Sequence, residues 1–218
     1  HVSLVGSEMC IRDSLWPDAG MTPFRSEKNT GWEGGFRVPA LIKWPEQIEK
    51  GSTFNGIVSL EDFLPTLVAA AGNSNVKEEL LEGKKVGDIT YNVHLDGYNQ
   101  LPYLTGKTDE SARNEFVYWS DDGDLLALRY GKYKYHFAIQ ENETGLDIWK
   151  KPFTKLRVPQ FYDLSIDPFE RGDTGMGYDR WMYERSFLMM PAVEKVKQVM
   201  DTFEDYPPRM APGSFVPK

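Results

Sequence analysis

Cysteine is nearly absent. Cys10 is the only one in 218 residues, so neither an internal disulfide nor a cysteine-rich metal site can form. Histidine is almost as scarce: His94 and His136 stand alone, with no second histidine at metal-ligand spacing, and each reads as a structural or surface residue. No apolar run reaches the length of a membrane span, and the first residues lack the charged-then-apolar pattern of a signal peptide. The 25 Lys and Arg are dispersed and outnumbered by 33 Asp and Glu, for a net charge of −8. That balance argues against nucleic acid or an anionic membrane as the main partner. Familiar chemical signatures are missing too. There is no Gly-x-Ser-x-Gly, Gly175-Met176-Gly177 lacks a third glycine, and Asp121-Asp122-Gly123-Asp124 lacks EF-hand spacing and reads as a hairpin turn. What remains is an ordinary globular composition, 40% hydrophobic and 27% charged, long enough for one domain or two small ones with a sizeable core.

The opening string, Leu4 to Ser14, has neither a helical nor an alternating apolar period, and it abuts Leu15-Trp16-Pro17 without a turn signal. Back-translated, Met9-Cys10-Ile11-Arg12-Asp13 can be written ATG TGT ATA AGA GAC, which resembles one frame of a sequencing-library adapter. Residues 1–14 are therefore expected to be a non-native, adapter-derived segment and are set aside from fold reasoning. Cys10 goes with them and is not a nucleophile candidate.

From Trp16 to Pro45 the chain is dense in Gly, Pro and Trp, as an ordered functional loop would be. Gly34-Gly35 permits positive φ and close backbone approach, so a sharp turn is expected after Glu33. Val38 to Trp44 then reads as a buried strand with Pro39 near its start. In "SLEDFLPTLVAAAG", Asp62 as N-cap places Pro65 in the first turn, gives Phe63, Leu64, Leu67, Val68 and Ala71 one apolar stripe, and lets Gly72 end the helix. Strand followed by helix is an α/β signature. Asn73 to Thr90 reads as a polar surface excursion and Leu95 to Gly106 as a turn-rich connector.

From Phe116 the pattern becomes antiparallel. Strands are expected at Phe116–Trp119, Leu125–Tyr130 and Lys132–Phe137, with turns at Asp121–Asp124 and Gly131. In the third strand Tyr133, Tyr135 and Phe137 face one way and Lys132, Lys134 and His136 the other, as in a half-buried meander. Phe161 to Glu170 reads as a further strand closed by an Asp167-Pro168 turn, and a last amphipathic helix runs from about Ala192 to Phe203 before Pro207-Pro208.

One cation stands out. Lys28 lies between Arg25 and the Gly-Gly turn, on a loop expected to lead into the buried strand. An ammonium held there could contact an anionic substrate; from spacing alone a solvated loop lysine is the commoner outcome. The wider text decides between them. "TPFRSEKNTGWEGGFRVPALIKWP", "DFLPTL…AAG", "LDGYNQLPYLTG", "FVYWSDDGDLLALRYGKYKYHF" and "FYDLSIDPFE" occur in the order found in arylsulfatases, the formylglycine-dependent, alkaline-phosphatase-like sulfatases. The chain resembles that family from Trp16 to about Phe215, most specifically in Lys-x4-Glu-Gly-Gly-x-Arg-x-Pro and Tyr-Asp-Leu-x2-Asp-Pro-x-Glu.

The resemblance implies a role for Lys28 as a contact to the sulfate group of a small-molecule or carbohydrate sulfate ester. It implies Ca2+ in the complete enzyme, with ligands not in this chain, and a formylglycine made from a cysteine or serine in x-Pro-Ser-x-Arg-like context. No such context occurs here, so no catalytic nucleophile and no metal ligand is assigned. The place of an Asp-Asn ligand pair is taken by the adapter-like string, and Asp13 is not promoted to that role. The chain is accordingly expected to be the C-terminal part of an arylsulfatase, inactive alone. Residues 15–110 would be the end of the α/β catalytic domain with a connector, and residues 111–218 an α+β subdomain with an antiparallel sheet packed by the last helix. A periplasmic or secreted location is a family-level expectation. Two alternatives stand beside it: a phosphonate or phosphate monoesterase of the same superfamily, and a non-enzymatic carbohydrate-binding module that would expose Tyr133, Tyr135 and Phe137.

Overall fold

The computed structural model describes residues 22–209, which form two compact units. One contains residues 22–41 and Val117–Lys197, with Arg209; the other contains Ile42–Phe116 and Gln198–Pro208. Each of the stretches 15–110 and 111–218 thus contributes to both units. The adapter-like string and Cys10 lie outside the described residues.

The Gly-Gly turn is a single turn of helix, α1 (Glu33–Phe36). Neither glycine has positive φ. They are needed for space: a Cβ on Gly34 would sit 2.1 Å from the Ser26 carbonyl oxygen, and one on Gly35 would sit 2.7 Å from that of Thr30. Gly34 N–H donates to the Arg25 carbonyl at 2.9 Å, so α1 folds back against its own loop.

The expected strand at Val38–Trp44 does not form; these residues have no regular structure, and Leu41 is 85% exposed. A strand exists only where its N–H and C=O groups find a neighbouring chain, and no described strand runs beside this segment.

In the second unit a 3-10 turn, Leu60–Asp62, leads into α2 (Phe63–Ala70). Asp62 is the N-cap of α2, as expected, but its carboxylate turns back to the 3-10 turn, where Ser59 N–H donates to Oδ2 at 2.9 Å in a capping box. The expected apolar stripe is split: Phe63 and Val68 are half-buried, while its two leucines turn outward. Leu64 is 53% and Leu67 61% exposed, whereas Pro65, Thr66 and Ala69 are buried. A polar network decides which face goes in. Thr66 Oγ1 donates to the Asp62 carbonyl at 2.6 Å and accepts Gln100 N–H at 2.9 Å. Asp62 takes the Arg113 guanidinium at 2.6 Å and Tyr98 N–H at 2.7 Å. Burial pushes the Asp62 carboxyl up, but Arg113 and the two backbone donors outweigh it and hold it below the usual range. Gly72, at φ 103°, ends α2 as expected.

Asn73–Thr90 is more ordered than a surface excursion. It contains α3 (Val76–Glu82) and β1 (Lys84–Val86), which pairs antiparallel with β2 (Ile89–Tyr91). The connector holds α4 (Leu101–Leu104), whose Tyr103 hydroxyl accepts Gly56 N–H at 2.8 Å.

The antiparallel half follows expectation closely. β3 (Glu115–Trp119), β4 (Leu125–Tyr130), β5 (Tyr133–Ile139) and β6 (Thr154–Asp163) form one sheet in that order, with the short α5 (Asp147–Lys150) between β5 and β6. β6 starts earlier and ends sooner than the expected Phe161–Glu170 strand. After it come α6 (Tyr178–Glu184) and α7 (Met189–Asp205). One sheet face places Leu128, Tyr135 and Phe161 against Ala192 of α7, with Tyr133 and Phe137 at the margin. Tyr135 is 2% exposed and its hydroxyl donates to the Leu188 carbonyl at 3.1 Å. The exposed aromatic face that a carbohydrate platform requires is therefore not formed by these residues, and that reading loses its basis.

Asp62→Ala should take from the buried Arg113 guanidinium its one fully buried carboxylate partner and leave the Ser59 and Tyr98 N–H groups without their acceptor. A loss of about 3 kcal/mol or more is expected in urea unfolding monitored by circular dichroism; a change under 1 kcal/mol would contradict the assigned role.

Candidate functional site

The opposite face of the sheet is where expectation and structure part most. Lys134 and His136 alternate with the core aromatics of β5, as read from the sequence, but they are fully buried rather than solvent-facing. What covers them is the loop 24–33, which lays Trp32 on the His136 ring at 4.2 Å between centroids and edge-on to Tyr162 at 6.0 Å.

Two carboxylates make that contact possible, one from each of the specific motifs. Glu33 Oε1 lies 2.9 Å from Lys134 Nζ and accepts the Tyr118 hydroxyl at 2.7 Å, while Oε2 faces Arg129 Nη1 at 3.4 Å. Glu170, held at φ 53°, places Oε1 2.7 Å from His136 Nε2 and 3.1 Å from Lys134 Nζ. Its Oε2 accepts the Glu33 N–H at 2.7 Å, so the start of α1 is fastened to the turn after β6.

Burial raises both carboxyls, yet in each case Lys134 leads the groups that reverse the sign. Glu33 is held below the ordinary range with help from Tyr118 and Arg129, and Glu170 falls to about 2 with help from His136 and the Glu33 N–H. Burial also dominates His136 and pushes it down, toward the neutral ring. A neutral ring donating from Nε2 to Glu170 leaves Nδ1 as a bare acceptor, consistent with Nδ1 having no hydrogen-bond partner among the described residues.

Arg25 closes the other side. Its guanidinium lies 3.7 Å from the Trp32 ring centroid and donates to the Glu170 carbonyl at 2.5 Å, to Asp173 at 3.0 Å and to Glu143 at 2.9 Å.

Lys28 sits in the middle of this loop and is exposed. Its neighbours are not free to move. Glu27 is buried and its carboxylate accepts Gly145 N–H at 2.7 Å; Asn29, at φ 68°, donates from Nδ2 to the Ile148 carbonyl at 3.3 Å; Ser26, at φ 61°, donates from Oγ to the Glu143 carbonyl at 2.9 Å. The segment 143–148 therefore brackets Lys28, and the Lys28 ammonium stands over the Trp149 ring at 5.9 Å from its centroid. The chemistry available is donation from an exposed ammonium on a loop fixed at both ends, suited to an oxyanion.

The sequence singled out Lys28 but neither Arg25 nor the cluster beneath the loop. Glu33 and Glu170 were visible as motif letters, and the Lys134/His136 alternation was visible as strand pattern. Their pairing across 137 residues had no local signal. Among the described residues, no three His, Cys, Asp or Glu side chains are grouped so as to hold a metal ion.

Comparison with known proteins gives a consistent result. The family profile described as Sulfatase matches residues 8–73. That match begins inside the string read as adapter-derived, so it marks no boundary at Ser14. Arylsulfatase A of Bos taurus is 36% identical over 156 residues, which is 67% of this chain and 27% of that protein. Arylsulfatase G of Mus musculus is 36% identical over 178 residues, 82% of this chain and 31% of that protein. Among solved structures, the PsFucS1 sulfatase from Pseudoalteromonas sp. superposes with a TM-score of 0.66 at 28% identity, covering 90% of this chain and 36% of that one. The chain thus spans roughly a third or less of the length of these relatives.

The cluster predicts a pH dependence whose sign follows from the depressed values. Where a folded-state pKa lies below the unfolded one, the unfolded chain binds protons first, so stability is lost as pH falls. His136 acts in the window below about 6.5, and the two glutamates act below about 4.5. His136→Gln keeps an N–H donor toward Glu170 but cannot titrate. Its melting temperature at pH 7.5 should be lower than that of the parent chain, while the drop between pH 7.5 and 5.5 should shrink. An unchanged drop in differential scanning fluorimetry would remove His136 from the account.

Proposed function

The chain belongs to the sulfatase family, and from that premise we propose that the complete enzyme hydrolyses sulfate esters to an alcohol or phenol and sulfate, with Lys28 contacting the sulfate group. The observation supporting this reading is the placement of Lys28: an exposed ammonium whose two sequence neighbours are tied to the segment 143–148, on a loop locked to the sheet by a dry ion cluster. A group so fixed need not reorganise when charge shifts from sulfur to the departing oxygen, which is where a preformed cation gives most. Its donors hold the sulfuryl oxygens at charge-assisted hydrogen-bond distance, about 2.8 Å, and orient the ester for attack.

The nucleophile in this reading is a formylglycine, and Ca2+ supplies charge neutralisation when bound. Neither is assigned to residues of this chain. No Cys or Ser followed by x-Pro-x-Arg occurs in the 218 residues, and among the described residues no three His, Cys, Asp or Glu side chains are grouped as ligands, the buried Glu33, Glu170 and Asp62 being engaged with Lys134 and Arg113. The 218-residue chain alone is accordingly proposed to be inactive.

Two measurements test the reading. The purified chain should release no 4-nitrophenol from 4-nitrophenyl sulfate above the buffer rate, and measurable turnover would refute the inactivity. In the complete enzyme, Lys28→Ala should lower kcat/KM for an aryl sulfate by about 10²–10³-fold, as removal of one oxyanion donor does. Lys28→Arg should recover part of that loss, and sulfate esters should be preferred to the matching phosphate esters. Unaltered turnover by the alanine variant would end the assignment of Lys28.

A further inference from the structure

We infer that Trp149 is a specificity-determining residue, offering its indole face to the organic half of the sulfate ester whose sulfate Lys28 holds. This inference rests on the reading of Lys28 just given and adds to it the chemical class of the alcohol: an aryl group or a sugar ring rather than a short alkyl chain.

Trp149 reaches this position through its neighbours. Ile148 is buried, and its carbonyl accepts both Asn29 Nδ2 at 3.3 Å and Gln140 Nε2 at 3.1 Å. The next residue in α5 therefore has its backbone fixed relative to the loop that carries Lys28. Its half-buried ring lies under the Lys28 ammonium, 5.9 Å from Nζ to centroid. A sulfate oxygen accepting from Nζ sits about 2.8 Å away. The first carbon of the alcohol is three covalent bonds further on, through sulfur and the ester oxygen, so a ring attached there comes within stacking range of the indole. Leu146, largely exposed, extends the apolar surface on the same segment. A rigid aromatic face beside a fixed cation selects a substrate with an anion at one end and a flat or C–H-rich ring at the other, at little ordering cost.

Two of the negative charges nearby are already occupied. Glu27 turns its carboxylate to Gly145 N–H, and Glu143 is matched by Arg25 at 2.9 Å and Arg171 at 2.8 Å. An anionic ligand at Lys28 is therefore not opposed by an unpaired carboxylate from these two positions.

The test uses the 218-residue chain and three probes: inorganic sulfate, methyl sulfate and phenyl sulfate. Nitrogen-15 correlation spectra report the backbone amides of residues 27–31 and the indole N–H of Trp149, which the Trp149→Phe variant assigns. Phenyl sulfate should shift both sets of signals and bind about tenfold tighter than methyl sulfate. Trp149→Ala should abolish that ratio, and Trp149→Phe, which keeps a ring and guards against a folding defect, should retain most of it. If all three probes shift the loop amides but phenyl sulfate is no tighter and the indole signal is silent, the inference fails while the Lys28 reading stands. If no probe shifts the loop amides and Lys28→Ala changes nothing, both fail together.

Discussion

Lys134 sits on β5 with no solvent around it, and two carboxylates, Glu33 from the first residue of α1 and Glu170 from the turn after β6, converge on its ammonium within 3.1 Å. The sheet face that carries it is otherwise unsuited to burial, since it also presents His136 and Arg129. The loop 24–33 and the 170 turn can cover that face only by bringing charge of the opposite sign with them. Breaking one member of a buried set strands the others and typically costs several kcal/mol. The cluster therefore acts as a registration device: the loop lies where Glu33 meets Lys134, and nowhere else without leaving a naked charge behind.

The same constraint explains why the local backbone is strained where it is. Ser26, Asn29 and Glu170 all adopt left-handed conformations without being glycine. Glu170 must present one oxygen to His136 and Lys134 and the other to the Glu33 N–H, while its own carbonyl meets Arg25. Ser26 and Asn29 must turn their side chains toward the segment 143–148 on either side of Lys28. Each unfavourable φ is compensated by bonds that no extended conformation could make at once.

How legible was this from the letters alone? Strand boundaries in the meander came within a residue or two for β3, β4 and β5, because turn residues and period-two alternation are local signals. Alternation also told correctly which side chains share a face of β5. It did not tell which face would be wet, because aromatic and charged residues suggest a polar exterior unless the covering loop is known. The misreadings share that cause. The stripe Leu64–Leu67 of α2 was assigned inward by hydrophobicity, yet the Asp62–Thr66–Gln100–Arg113 network pulled the other side in. The apolar run 38–44 was read as a strand, but a strand is defined by a partner that local sequence does not name. Lys28 itself gave no geometric signal. Its significance came from resemblance, and the bonds of Glu27 and Asn29 that fix the loop around it span more than a hundred residues.

The role proposed for Lys28 meets an electrostatic difficulty in a protein of net charge −8, and local neutralisation answers it. Four acidic side chains of the loop and its supports, Glu27, Glu33, Glu143 and Glu170, are each turned onto a specific donor: a backbone N–H, an ammonium, or a guanidinium. Their fields then close over short distances instead of reaching the surface, where a bare carboxylate a few ångströms from Lys28 would cancel its attraction for sulfate. Lys134 and Lys28 thus divide the work. The first gives its charge wholly to the interior and fixes the loop; the second keeps its charge at the surface because the interior has been satisfied without it. Replacing Lys134 with a neutral residue would leave Glu33 and Glu170 facing each other in a dry site. The damage would then reach Lys28 twice, through a displaced loop and through a negative field no longer contained.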